Sequence, residues 1–102
     1  MTKPLSPADC QTMTDVRKGV DALDQRIVAL FADRFAYMRA AARIKPDRGH
    51  VRDEDRKAQV IANARAEAER RDIPGDAVAA IWETLVEASI AYEMREFDRL
   101  KS

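Results

Sequence analysis

Apolar positions along the first half of the chain recur with a helical beat. Val16, Val20, Leu23, Ile27, Leu30, Arg34, Tyr37, Ala41 and Ile44 are spaced alternately by four and three, which is the seam of a helix that packs along its length. Nothing interrupts the pattern before Lys45-Pro46, and the residue before a proline tends to leave the helical region. The spacing predicts a first helix from about Thr14, about 30 residues or ~45 Å long. Pro4 and Pro7 disfavour helix upstream, so residues 1–13 read as a flexible lead-in to a helical domain over 14–102. Pro46-Asp47-Arg48-Gly49-His50 is a polar loop. A second helix is expected from near Asp53 to about Arg71. Asp53, Glu54 and Asp55 suit its positive end and Arg70 and Arg71 its negative end. Its apolar content is thin: Val60, Ile61 and alanines. Asp72-Ile73-Pro74-Gly75 stops it, and a third helix runs from about Asp76 to Leu100. The expected inner face of that helix carries Val78, Ile81, Trp82, Leu85, Val86, Ser89, Tyr92, Glu93, Phe97 and Leu100. No stretch alternates like a strand. The fold class is all-α, with three helices per chain.

Helix length carries a further implication. A compact domain of this size has a radius of gyration of ~13 Å, hence a diameter near ~35 Å. A seam of ~45 Å overshoots it. The overhang calls for a partner, and the simplest partner is a second copy, giving an intertwined homodimer.

Composition narrows the function classes. Lys plus Arg and Asp plus Glu each number 18, for a formal net charge of zero. A neutral surface has no bulk pull towards nucleic acid or an anionic membrane, so no partner of either kind is expected. No apolar run reaches membrane-spanning length, and Met1 to Gln11 lacks the apolar stretch of a signal peptide. Cys10 is the only cysteine, which excludes an internal disulfide and fits a cytoplasmic, reducing setting. Cys10 itself has no activating neighbour in the sequence. His50 stands without co-ligands, so neither a metal nor another cofactor is expected.

Polar residues then break the inward pattern in a few places. Arg34 takes a seam position where Leu or Ile is expected. Lys45 follows eleven residues later, about three turns on and at nearly the same azimuth. Ala41 and Ala42 leave room between them. Ser89 and Glu93 lie one turn apart on the apolar face of the third helix. Arg17 flanks the seam near its start. Each has a plainer reading: Arg34 could pair with Glu93 or Asp33, Lys45 could complement a helix end, Ser89 could simply pack, and Arg17 could be solvated. Trp82 and Tyr92 read as core or dimer-contact aromatics. Together, however, inward cations with a serine and a carboxyl suit a small dianion. Arginine offers a carboxylate two parallel hydrogen bonds, and an inward cation needs an anion to match it.

These residues resemble a known family, the all-helical chorismate mutases. Val16-Arg17-Lys18-Gly19-Val20-Asp21-Ala22-Leu23-Asp24 is similar to the opening of that family's first helix. Arg34 falls at its second arginine and Lys45 at its helix-end lysine. Val51-Arg52-Asp53-Glu54-Asp55-Arg56 looks like the Val-x-Asp-x-x-Arg that leads into its second helix, and Ser89 with Glu93 matches its serine and Gln/Glu, four apart. The resemblance covers about residues 14 to 100. It implies a cofactor-free isomerase of aromatic amino-acid biosynthesis, the shikimate pathway, converting chorismate to prephenate in sites shared across a homodimer.

The resemblance also implies roles. Arg34 and Ser89 would hold carboxylate oxygens, and Arg17 would reach a carboxylate from the other subunit. Lys45 would bond the breaking ether oxygen and a carboxylate, and Glu93 would bond the same ether oxygen from the other side. Asp53 and Arg56 would shape the end that meets the ring hydroxyl. The chain departs from the family at Lys57, where most mutases carry a glutamate. The lead-in Pro7-Ala8-Asp9-Cys10 and the stretch Tyr37 to Lys45 resemble the isochorismate pyruvate lyases, which split pyruvate from isochorismate to give salicylate. Asp53 speaks for the mutase. A non-catalytic helical dimerisation module, its inward cations held as internal ion pairs, is the alternative of a different class.

Overall fold

The computed structural model describes residues 3–101, and every regular element among them is helical: α1 (Met13–Ile44), α2 (Glu54–Arg70) and α3 (Gly75–Lys101), with short 3-10 turns at Pro7–Asp9 and Arg48–His50. The helices fall within a residue or two of the positions that the apolar spacing and the proline and glycine stops predict. Among the described residues, no helix is long and apolar enough to cross a membrane. The chain divides into two compact units, Met1–Arg34 and Phe35–Ser102, and α1 begins in the first and ends in the second.

In the first unit, α1 starts from a reciprocal cap. Thr12 Oγ1 accepts from the Asp15 amide at 3.1 Å, and Asp15 Oδ2 accepts from the amides of Gln11 at 3.1 Å and Thr12 at 3.3 Å. That arrangement satisfies orphan donors at both ends of the first turn. The Gln11 amide above all holds the Asp15 carboxyl below its ordinary value. The lead-in carries structure of its own: a 3-10 turn over Pro7–Asp9, closed by Ser6 Oγ donating to Asp9 Oδ2 at 2.9 Å. Between this segment and α1 lies a groove of about 560 Å³ whose lining includes Leu5, Pro7, Val16, Val20 and Leu23. The seam of α1 is open to solvent in the single chain: Val20 is 48%, Leu23 51%, Ile27 45% and Leu30 64% exposed.

The second unit holds the core. Ala42 near the end of α1, Val51 just before α2 and Phe97 on α3 are buried together, with Ile90 and Met94 packed against them. Phe35 meets Tyr92 edge-on, ring centroids 5.1 Å apart, and Arg39 donates to the Tyr92 hydroxyl at 2.9 Å. α2 is capped by Asp53, whose Oδ1 accepts from the Arg56 amide at 3.0 Å. Its far end closes with amide bonds from Asp72 to the Glu69 carbonyl and from Ile73 to the Ala68 carbonyl. That closure needs a left-handed residue, and Asp72 supplies it at φ 59°. Pro74 then forces a new start. On α3, Leu85, Val86, Ser89, Glu93 and Phe97 are buried as the spacing predicts. Ile81 and Leu100 depart from the expected inner face and are exposed.

Candidate active site

The helix α1 ends where Pro46 forbids continuation, and the Lys45 amide still bonds the Ala41 carbonyl at 2.9 Å. Lys45 therefore leaves the last turn with its side chain directed by the helix. Its Nζ lies 2.6 Å from Glu93 Oε2 on α3. The Glu93 side chain is 5% exposed and that of Lys45 29%. The two meet by charge, since Glu93 Oε2 has no hydrogen-bond partner of good angle. A carboxylate so buried requires a nearby cation, because removing an ion from water costs several kcal/mol, of order, unless it is matched. Ser89 stands one turn before Glu93, buried, its hydroxyl donating to the Leu85 carbonyl at 2.7 Å. Lys45 and Glu93, singled out as inward polar residues from different helices, are thus brought together, with Ser89 one turn from the pair on the same face of α3.

The remaining candidates have other surroundings. Arg34 is half-buried on α1, and Arg17 is exposed near the start of the same helix. Asp53 and Arg56 are exposed at the start of α2. The Asp53 carboxylate caps the helix, and the Arg56 guanidinium donates to Gln59 Oε1 at 2.6 Å. His50 pairs with Asp47 within the loop, Nδ1 to Oδ1 at 2.9 Å.

Sequence reasoning missed a second polar cluster in this unit. Lys57 on α2 is 16% exposed at its side chain and sits between Glu83 Oε1 at 2.7 Å and Glu87 Oε2 at 2.8 Å on α3. Arg52, just before α2, grips both Glu87 oxygens at 2.8 and 3.1 Å and also reaches Glu54 at 2.8 Å. Its hydrogen bonds to the Glu83 and Glu87 carboxylates push the Lys57 ammonium up to about 12. Those from Arg52 and Lys57 hold the Glu87 carboxyl down at about 2. Both groups stay charged across the neutral range. The signal available in the sequence was the one-turn spacing of Glu83 and Glu87, which reads equally well as solvated surface.

Comparison with known proteins bears on this geometry. The family model described as chorismate mutase type II matches residues 16–94. The chain is also 24% identical over 90 residues to an isochorismate pyruvate lyase of Pseudomonas aeruginosa, covering 88% of this chain and 89% of that protein. The matched span takes in Arg17, Arg34, Lys45, Asp53, Arg56, Ser89 and Glu93.

Proposed function

From the premise that this chain belongs to the chorismate mutase type II family, we propose that it rearranges chorismate to prephenate in aromatic amino-acid biosynthesis. The observation that carries the reading is the Lys45–Glu93 pair, its carboxylate buried one turn from Ser89. A pericyclic rearrangement requires no nucleophile and no proton relay. It requires that a flexible dianion be frozen in a compact shape, and that negative charge growing on the ether oxygen be met by fixed donors. In this reading Lys45 donates to the ether oxygen and to a carboxylate. Glu93 donates to the same oxygen once protonated. Arg34 and Ser89 hold carboxylate oxygens, and Asp53 and Arg56 bound the ring-hydroxyl end. The chain acts as a homodimer in the cytoplasm. Its partner supplies Arg17 to each site, and the exposed α1 seam is the surface a second copy would cover.

One observation favours a second reading, the isochorismate pyruvate lyase. Lys57, standing where a hydroxyl-binding carboxylate is expected, is held by Glu83 and Glu87, and the chain is similar to a lyase along most of its length. A single assay separates the two. Chorismate and isochorismate are offered separately, and prephenate, salicylate and pyruvate are measured. Prephenate from chorismate supports the mutase. Salicylate with pyruvate from isochorismate alone replaces it with the lyase. Turnover of neither removes both.

A further inference from the structure

We propose that Lys57 is a positioning residue, whose ammonium braces α2 to α3 through Glu83 and Glu87 and thereby sets where Ser89 and Glu93 stand. The proposal rests on the functional reading above and adds a residue to it. Lys57 is a half-buried cation whose two partners are both on α3. Arg52 holds Glu87 from the segment that enters α2. Glu83 and Glu87 are one turn apart. Ser89 follows Glu87 by two residues, about 200° around the helix. The braced stripe and the stripe bearing Ser89 and Glu93 therefore lie about 120° apart around one rigid rod. Glu93 lies six residues beyond Glu87, a rise of ~9 Å. A slip or rotation of α3 at Glu87 is carried to Glu93 almost undiminished.

The same clamp acts on the other half of the pair. The segment that leads from Lys45 to α2 is tied to α3 at three points, the Arg52 grip among them. Arg48 Nε bonds Asp98 Oδ1 at 2.9 Å, Val51 packs in the core with Phe97, and Arg52 grips Glu87. Lys45 is therefore held at one end of a segment whose other end is fixed to the helix carrying Glu93. Exposed ion pairs add little to stability. Their value here is geometric, since a misplacement of 1 Å far from the chemistry can cost a rate factor of about 10².

The test compares Lys57→Met, Lys57→Glu and the reversed pair Lys57→Glu/Glu83→Lys with the parent. It reads kcat and KM on whichever substrate the parent turns over, and amide hydrogen exchange across residues 85–93. Lys57→Met should lower kcat by roughly tenfold or more, with KM within about twofold, and should raise exchange in that stretch. Lys57→Glu places three carboxylates together and should do worse on both counts. The reversed pair should recover part of kcat and of protection together, because the arm to position 83 returns with its signs exchanged while Glu87 keeps Arg52. Recovered protection without recovered kcat overturns the proposal, since the charge of Lys57 would then act on the substrate itself. An unchanged kcat in Lys57→Met overturns it as well. If the parent turns over neither substrate, the functional reading fails by itself. Exchange then decides the brace alone, and unchanged protection in Lys57→Met removes it.

Discussion

Lys45 at the end of α1 and Glu93 on α3 form an ion pair at 2.6 Å, with the carboxylate buried and the ammonium partly open to solvent. The asymmetry matters for what the pair can do. The buried partner is the one that cannot find water if it is abandoned. The exposed partner is the one that can turn towards an incoming ligand. In the proposed reaction an incoming dianion would compete with Glu93 for Lys45.

Replacing Lys45 separates its two roles. Lys45→Ala should lower kcat by about 10², the scale of losing one preorganised donor. It should also destabilise the fold, because the Glu93 carboxylate loses its cation; the cost is of order 1–3 kcal/mol, towards the lower end since Lys45 is partly solvated. Adding Glu93→Gln should restore stability in urea unfolding without restoring kcat. A change confined to KM would assign Lys45 to binding alone.

Site sharing is tested by mixing. If Arg17 serves the neighbouring copy's site, Arg17→Ala and Arg34→Ala chains are each nearly inactive. Reassorted, they form heterodimers with one intact site and one doubly damaged site, and activity should partly return. The open α1 seam, with Leu23 and Ile27 each about half exposed, also predicts a sedimenting mass about twice the 11.5 kDa of one chain. An active monomer, or no recovery after verified exchange, ends the shared-site reading.

The helices were legible because their signals are local. The four-three spacing, Pro46, the capping Asp53 and the stop at Asp72 to Gly75 each act within a few residues. The Lys45–Glu93 contact was only half legible. Both residues stood out as polar on an apolar face, yet their meeting depends on how the loop between α1 and α2 returns to α3. The Lys57 brace was not legible at all. A lysine on α2 and two glutamates on α3 are ordinary surface residues until packing sets them against each other. Ile81, expected on the inner face, is exposed in the single chain, because the apolar period marks what can be buried and not what covers it.

Acid should weaken the brace in a defined window. Glu87 is held at about 2 against an ordinary 4.5, first by Arg52 and then by Lys57. A carboxyl lowered on folding adds stability that is full above its unfolded value and is lost as pH falls through its folded value. The loss should therefore run from about pH 4.5 down to about 2. Glu87→Gln should remove it, giving a flatter Tm profile over that range than the parent. Identical acid limbs would show that Arg52 and Lys57 do not stabilise Glu87 in solution.

Glu93 gives the sharpest expectation, and its sign follows from hydrogen-bond chemistry. An ether oxygen is an acceptor, and it becomes more negative as its bond breaks. An ionised carboxylate beside it has no proton to donate and adds repulsion. Glu93 can therefore assist the reaction only in its protonated form, while in the ligand-free chain it lies against Lys45 as an ion pair. Glu93→Gln supplies a permanent N–H donor of nearly the same shape, so it should retain the parent's kcat/KM at pH 7 to 8 or exceed it, whereas Glu93→Ala, which supplies no donor, should lose it. A glutamine variant much slower than the parent and no faster than the alanine variant would leave Glu93 as the structural counter-ion of Lys45 and nothing more.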